Sequence, residues 1–220
     1  DLPGHGRTGV AEGMINHDHI LAAVLAFVEA VLPGQHYAAS GMSVGGHLVR
    51  GLVRRCPERL LGVMFNGTPF VTDYAERTVP VPVALRQEAG FADAAGPALG
   101  TLQFLQPVHD LAIAAWHQRN MAPARALLQE SFALKSWEPE HYAYSFDLAP
   151  PAPFPGPSLI LCGRQDPVAG YRDAWPSVED YPRASFAVLD LGGHLIAPAR
   201  PELFRALVAD WLERMETESA

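Results

Sequence analysis

The sequence is poor in cysteine, in basic runs and in long apolar stretches, and each shortage excludes a class of protein. Two cysteines, Cys56 and Cys162, stand far apart among the 220 residues, which favours separate thiols over a disulfide and indicates a reducing compartment. Lysine and arginine number 16 against 24 acidic residues, for a formal net charge of −8, and Arg54-Arg55 is the longest basic run. The chain therefore lacks the basic groove that nucleic-acid binding requires.

No apolar segment has the length needed to cross a membrane. The apolar helical pattern at residues 20–32 is short and is interrupted by Glu29. No signal peptide is visible, and we expect a cytoplasmic location. Hydrophobic residues nevertheless make up 49% of the chain, which is enough for one α/β domain with a large buried core.

The most informative pattern is G-x-S-x-G at residues 41–45, between a candidate strand at 36–39 and an apolar helix beginning near Gly46. A serine on a sharp strand-to-helix turn adopts a strained backbone and needs small neighbours, which Gly41 and Gly45 provide. Such a turn exposes the Ser43 hydroxyl, and the helix N-terminus favours developing negative charge. The same letters also fit a glycine-rich helix start with a serine cap.

A serine nucleophile needs a base and a carboxylate that orients the base, and both types of residue follow downstream. Asp166 comes after a buried parallel strand predicted at 158–162. His194 comes after the next predicted strand, at 185–191, and a helix-length segment at 171–178 lies between the two strands. Both residues would therefore leave the carboxyl edge of a parallel sheet, where open α/β folds place their active sites.

These pieces resemble the α/β-hydrolase fold superfamily, in particular its serine hydrolases with a helical cap. The matching stretches are residues 1–8 (DLPGHGRT), 41–45, 163–166 and 192–194. The family pattern in the first stretch ends in serine, where this chain has Thr8. The resemblance implies a mostly parallel sheet flanked by helices, with Ser43 as nucleophile, Asp166 as acid and His194 as base. It also implies that the Val44 backbone N–H is one donor of the oxyanion hole.

In the resembling family, the first of these stretches follows the fourth strand, whereas here it begins at Asp1. The resemblance therefore implies that the N-terminal strands are absent from this chain. The loop that usually carries the second oxyanion donor would be absent with them. We expect the sequence to be a fragment, with an exposed sheet edge that promotes aggregation.

The remaining segments predict the domain organisation. Residues 1–69 and 151–220 alternate strand and helix patterns and form the predicted core, which ends in a helix from Pro201 whose apolar stripe should pack inside. Residues 70–150 show helical patterns at 84–88, 102–119 and 123–132 and no convincing strand, before a proline-rich connector. The resemblance implies that this section is a helical cap over the site, although extra helices packed elsewhere on the core would give the same pattern.

Other histidines are less suited than His194 to act as the base. His47 lies four residues after Ser43 inside the helix, so its ring should point away from the hydroxyl, and His5 lies in the opening turn. His109 and His117 are eight residues apart and should share a helical face.

No metal or cofactor is predicted. His17 and His19 flank Asp18 at a helix start, but no third ligand is apparent in the sequence. The expected partner is a small-molecule ester or related carbonyl compound, with Val168 and Leu195 as candidate substrate contacts because each lies beside a predicted catalytic residue.

Serine at the nucleophile position favours acyl transfer to water through an acyl-enzyme. Three alternatives remain open at this point. They are hydrolysis of a C–C bond, acyl transfer to an alcohol, and a catalytically inactive ligand-binding module on the same fold.

Overall fold

The computed structural model describes residues 1–129, 132 and 135–217, and its main sheet contains four parallel strands. The four strands are β1 (Tyr37–Met42), β2 (Leu60–Asn66), β5 (Ser158–Gly163) and β6 (Ala184–Leu189). They pair side by side in the order β1-β2-β5-β6. Two short strands, β3 (Arg86–Gln87) and β4 (Val108–His109), pair with each other in a separate parallel sheet. The predicted α/β class with a mostly parallel sheet is confirmed.

Helices precede, connect and follow the strands. In chain order, the helices whose residues are all described are α1 (His17–Val31), α2 (Val44–Arg55), α3 (Phe91–Ala95), α4 (Leu99–Leu105), α5 (Leu111–Asn120), α6 (Ala122–Arg125), α7 (Pro139–Tyr142), α8 (Tyr171–Ala174), α9 (Ile196–Ala199) and α10 (Pro201–Glu216). The Asn16 side chain caps α1 by accepting the His19 N–H at 3.2 Å. Pro201 opens α10, where its fixed backbone suits the first turn.

Helices cover both faces of the sheet because alternate strand residues point to opposite sides. On one face, Val63 and Phe65 of β2 share a buried cluster with α1 and α2. On the other face, Met64 packs in a second cluster with Trp211 of α10. The carboxyl ends of the parallel strands consequently meet at one edge between these layers.

The segment 70–150, which we call the insertion, differs from its predicted helices in two places. Residues 84–88, expected to be helical, contain β3, and the expected helix at 102–119 is divided into α4 and α5 by β4. Pro107 explains the division, because a proline keeps the preceding residue extended, and Gln106 has φ −130° and ψ 136°. His109 therefore lies on a strand and His117 on α5, so the expectation that they share a helical face was wrong. Part of the predicted segment 123–132 lies outside the described residues.

Two smaller expectations also need correction. The segment 171–178 is not one helix but α8 followed by a 3₁₀ turn, Trp175–Glu179. In α10 the apolar stripe is only partly core, because Leu203 and Leu212 are 41% and 44% exposed. The others on that stripe pack against the second cluster, and they are Phe204, Leu207, Val208, Trp211 and Met215. Leu203 and Leu212 lie at the two borders of the apolar stripe, where helical side chains are only partly covered.

The two cysteines are separate free thiols, as the sequence predicted. Burial raises the pKa of the Cys162 thiol to about 12, so it stays protonated inside the sheet. Within the described part of the chain, no helix is both long enough and apolar enough to span a membrane.

A buried cluster of histidine and tyrosine rings joins α1, α2 and the end of the insertion. His17 is fully buried, and its ring centroid lies 5.2 Å from that of His47 and 4.6 Å from that of Tyr142. Burial lowers the pKa of His17 to about 4, against a smaller opposing effect of Asp18. Burial also lowers the pKa of His47, and the positive charge of Arg50 adds to this effect. Both rings are therefore neutral in the folded protein at neutral pH.

We expect this burial to make the fold acid-sensitive. Between pH 6.5 and about 4 the unfolded chain takes up a proton at His17 and the folded chain does not, so stability is lost as the pH falls. His17 alone should lower the free energy of unfolding by about 2 kcal/mol at pH 5 relative to pH 7.5. Urea denaturation of the wild type and a His17→Phe variant at both pH values measures the difference. His36→Gln is the matched control, because His36 is exposed. Equal pH dependence in wild type and His17→Phe would contradict the expectation.

Candidate active site

Ser43 lies on the turn between β1 and α2. Its backbone has φ 51° and ψ −118°, which is a strained conformation for a residue with a side chain. Two backbone contacts hold the turn, because the Ser43 N–H donates to Asn66 O at 2.9 Å and the Ser43 carbonyl accepts the His47 N–H at 3.2 Å. The strain is consistent with a functional position, since such conformations persist only where the surrounding structure fixes them.

The positions that require a small residue around this turn are not the two that the G-x-S-x-G pattern predicts. A Cβ on Gly41 would stand 2.1 Å from the Gly45 carbonyl carbon, so glycine is required at Gly41. At Gly45 itself a Cβ would meet nothing within 4 Å, so the expectation for that position was wrong. The next residue, Gly46, is instead constrained, because its Cβ would lie 1.7 Å from Thr68 Oγ1.

Asp166 lies in the loop after β5 and is fully buried. Its Oδ1 accepts the backbone N–H groups of Val168 and Ala169 at 2.7 and 3.0 Å. Its Oδ2 lies 2.9 Å from Nδ1 of His194. A buried carboxylate with three donors is satisfied without an adjacent cation, and it can accept a hydrogen bond from the imidazole N–H.

His194 follows β6 and connects the other two residues. Because a carboxylate oxygen can only accept, Nδ1 of His194 carries the proton that it donates to Asp166. Nε2 is then free to accept, and it lies 2.9 Å from Ser43 Oγ. The His194 backbone N–H donates to Leu105 O at 2.8 Å, which ties the histidine loop to α4 of the insertion. The structure thus brings together Ser43, His194 and Asp166 in one hydrogen-bonded chain.

The loops that carry Asp166 and His194 pack closely because of glycine. A Cβ on Gly163 would lie 2.2 Å from Gly193 O and 2.6 Å from Gly192 O. A side chain at Gly163 would therefore separate the two loops. This contact is the physical reason for glycine at the end of β5 in the predicted site.

The first turn of α2 supplies positive electrostatic potential at Ser43. Val44 is the first residue of the helix, and the first N–H groups of a helix lack partners within it. These groups and the helix dipole favour an anion beside the serine. The arrangement can stabilise negative charge that develops on an atom bonded to Ser43 Oγ.

Gly67 is part of the site, and the sequence pattern did not identify it. In the sequence, residues 66–69 (NGTP) only indicate the end of a buried strand. Gly67 has φ +54°, and its Cβ would stand 3.2 Å from the His194 carbonyl oxygen and 3.4 Å from both Asp166 Oδ2 and His194 Nδ1. Its position after a strand, at the same sheet edge as the other two loops, is the signal that could have identified it.

We expect Gly67→Ala to lower activity about tenfold while the protein stays folded, because its methyl group would lie 3.2 Å from the His194 carbonyl oxygen and the His194 loop must move by a few tenths of an ångström. Gly34→Ala is the matched control, since Gly34 has φ +66° and a Cβ there meets nothing within 4 Å. Both variants carry similar backbone strain. Turnover of a chromogenic ester measures the effect, and an equal loss in both variants would contradict a role for the contact at Gly67.

The two predicted substrate contacts have different surroundings. Val168 is partly buried, and its carbonyl accepts from Arg77 Nη1 at 3.0 Å. Leu195 is 2% exposed and packs in a cluster with insertion residues such as Leu102 and Ile113. Both remain predictions as substrate contacts.

The competing histidines have hydrogen-bond partners other than the Ser43 hydroxyl. His47 is fully buried and bonds through Nε2 to Tyr142 O at 3.0 Å, and Nδ1 of His5 bonds to Pro3 O at 2.9 Å. Among the residues with described positions, the group that brings three possible metal ligands within 4.8 Å is Glu138, Glu140 and His141, and it does not include His17. Acidic groups at a surface are common without a metal.

Neither the models of known protein families nor the curated proteins match this chain. Solved structures do match. An alpha/beta superfamily hydrolase from Oenococcus oeni PSU-1 is 17% identical with a TM-score of 0.88, over 98% of this chain and 80% of its own. An esterase from Exiguobacterium antarcticum is 15% identical with a TM-score of 0.66, over 97% of this chain and 80% of its own. A thermophilic esterase from Thermogutta terrifontis is 17% identical with a TM-score of 0.58, over 98% and 78%. Likeness at such identities is evidence about the fold.

Proposed function

The chain has the α/β-hydrolase fold, and we propose that it is a serine hydrolase that cleaves a carboxylic ester or a related carbonyl substrate. The observation that carries the proposal is the hydrogen-bonded chain from Ser43 Oγ through His194 to Asp166, with both distances at 2.9 Å. This geometry contains a nucleophile, a base within reach of its proton and a carboxylate that orients the base. Structural neighbours named as esterases support the same chemistry.

In the proposed acylation step, Ser43 Oγ attacks the carbonyl carbon of the ester while His194 Nε2 takes the hydroxyl proton. The carbonyl oxygen becomes an oxyanion that the Val44 N–H stabilises. As the tetrahedral intermediate collapses, the bond to the alcohol oxygen breaks and His194 gives that oxygen its proton. Asp166 stabilises the imidazolium throughout the step and keeps its Nδ1 proton in place.

Deacylation repeats the same two chemical steps, attack and collapse, with water as the nucleophile. His194 Nε2 takes a proton from a water molecule that attacks the acyl-enzyme carbonyl, and the second oxyanion forms in the same place. Collapse breaks the bond to Ser43 Oγ, which recovers its proton from His194. The products are a carboxylic acid and the free enzyme.

We assign residues 70–150 the role of a cap over this site. Insertion residues pack in one buried cluster with Met42, which precedes Ser43, and with Leu195, which follows His194. The Leu105 carbonyl holds the His194 backbone. A segment that packs beside both residues can exclude water and limit the shape of the acyl group.

Labelling with a fluorophosphonate, followed by intact-mass measurement, tests the proposal. An activated Ser43 should give one adduct that is absent from a Ser43→Ala variant and present in Ser40→Ala, whose serine is exposed on the same strand. Hydrolysis of simple nitrophenyl esters without an added alcohol then separates a hydrolase from an acyltransferase. A folded protein that gives no adduct would refute the proposed nucleophile.

A further inference from the structure

Two segments about 90 residues apart in sequence are joined beside Asp166. The first is the start of the insertion, residues 71–78, which we call the brace. The second is the loop at residues 166–173, which we call the acid loop. Three hydrogen bonds connect them: Tyr74 Oη–Pro167 O at 3.2 Å, Arg77 Nη1–Val168 O at 3.0 Å and Thr78 N–Asp173 Oδ2 at 2.7 Å. The backbones also touch, because a Cβ on Gly170 would lie 2.1 Å from Thr78 O.

Arg77 is the centre of this connection. Its Nε donates to Val71 O at 2.8 Å and its Nη2 donates to Thr72 O at 2.8 Å, so two of its donors close the brace on itself. Its Nη1 is the donor that reaches across to Val168 O in the acid loop. The planar guanidinium holds three donors in fixed directions and stays charged, so one side chain fixes three carbonyl groups relative to one another.

A single peptide group links Arg77 to the carboxylate of Asp166. The carbonyl of Val168 accepts from Arg77, and the N–H of the same peptide group, which belongs to Ala169, donates to Asp166 Oδ1 at 3.0 Å. A cation on the carbonyl polarises the peptide and strengthens its N–H as a donor. The guanidinium thus acts on Asp166 Oδ1 through one intervening peptide group, whereas His194 contacts Oδ2.

We propose that Arg77 is a positioning residue that holds the Asp166 carboxylate in line with His194, so that the insertion supports the site from its acid side as well as covering it. The kinetic part of this inference rests on the proposed hydrolase function. Arg77 touches neither Ser43 nor His194 in any hydrogen bond described above, so its effect on chemistry must pass through Asp166.

Four proteins test this route: the wild type, Arg77→Met, Asp166→Asn and the double variant. Methionine keeps much of the side-chain length and removes all three donors. We expect Arg77→Met to lower kcat about 10- to 100-fold with KM changed less than about threefold, because a small displacement of a catalytic group is costly. In the Asp166→Asn background the same change should have almost no further effect, since residues that act as a unit are not additive.

Arg172→Met is the matched control, because Arg172 is an exposed arginine within the acid loop that bonds to the Tyr171 hydroxyl and to none of the loop carbonyls described above. Its activity should equal that of the wild type. Arg77→Lys keeps a charge but not the fork, and it should fall between wild type and Arg77→Met. Denaturation midpoints show which variants are folded at the assay temperature, and Arg77→Lys replaces Arg77→Met in the cycle if the latter is not.

A second readout separates failure of this inference from failure of the proposed function. The His194 Nδ1 proton that donates to Asp166 should give a low-field proton resonance, assigned by its loss in Asp166→Asn. Arg77→Met should shift or broaden this resonance, and Arg172→Met should leave it unchanged. An inactive wild type with that response would refute only the hydrolase proposal. Losses that multiply in the double variant, or an unchanged resonance in Arg77→Met, would overturn the role of Arg77.

Discussion

Replacing Ser43 with alanine should reduce ester turnover by about a millionfold and leave the fold intact. The variant loses the only atom of the hydrogen-bonded chain that can form the acyl bond, Oγ at 2.9 Å from His194 Nε2. Losses of this size are typical when a serine nucleophile is removed from a working triad. The substitution should leave the turn folded, because the Ser43 side chain makes no helix-capping hydrogen bond that alanine would lose. Stopped assays with high enzyme concentration measure the residual rate.

The design of this test includes two comparisons. Ser40→Ala changes an exposed serine on the same strand and should be fully active. His194→Ala should lose about as much as Ser43→Ala, and the double variant should lose no more, because the two residues act as one unit. A Ser43→Ala variant with a substantial fraction of wild-type activity would show that the acyl group is never on this residue.

The positions of these residues in the fold could be predicted from short patterns because each pattern is local. A buried strand followed by a glycine and then a polar residue predicts its own location at the carboxyl edge of a parallel sheet. Three such strand ends, before Ser43, Asp166 and His194, therefore predict a common edge. β1 and β5 were found within a few residues of their predicted bounds for the same reason.

The internal structure of the insertion could not be predicted because its elements depend on distant partners. β3 and β4 are two residues each, and they exist because Arg86 and Gln87 pair with Val108 and His109. No propensity within residues 84–88 indicates that pairing, and the leucine and glutamine content resembles a helix. The sequence showed the proline at 107 that divides the helices, and the rule for residues before proline would have predicted the division.

The contact between the brace and the acid loop could not be predicted from the sequence for a related reason. Its bonds from Tyr74 and Arg77 go to backbone carbonyls of the acid loop, and a carbonyl acceptor carries no residue signature. Gly67 was missed because a glycine after a strand is common in turns, and only the fold shows that a Cβ at this position would lie 3.4 Å from Asp166 Oδ2. In both cases a residue far from the predicted catalytic residues in sequence is brought next to them by the fold.

Asp166→Asn should lower kcat about 10⁴-fold with little change in KM. Asp166 Oδ1 accepts two backbone N–H groups, from Val168 and Ala169, whereas Oδ2 accepts one donor among the described residues, Nδ1 of His194. An asparagine at this position has one oxygen, and the two backbone donors compete for it more strongly than the single ring proton does. The amide NH₂ therefore faces His194 and donates to Nδ1, which moves the ring proton to Nε2. A protonated Nε2 on a neutral ring cannot accept the Ser43 proton, so acylation stops although every group is in place.

This reasoning predicts more than a loss of rate. The wild-type and Asp166→Asn proteins should bind a substrate-like inhibitor equally, and fluorophosphonate labelling of Ser43 should slow in parallel with kcat. Asp93→Asn, an exposed aspartate in the insertion, is the control for the loss of one negative charge and should be unaffected. A loss below about tenfold in Asp166→Asn would mean that the histidine is oriented by another group. The orientation of an amide, which two backbone donors determine, is thus expected to set the rate of the whole reaction.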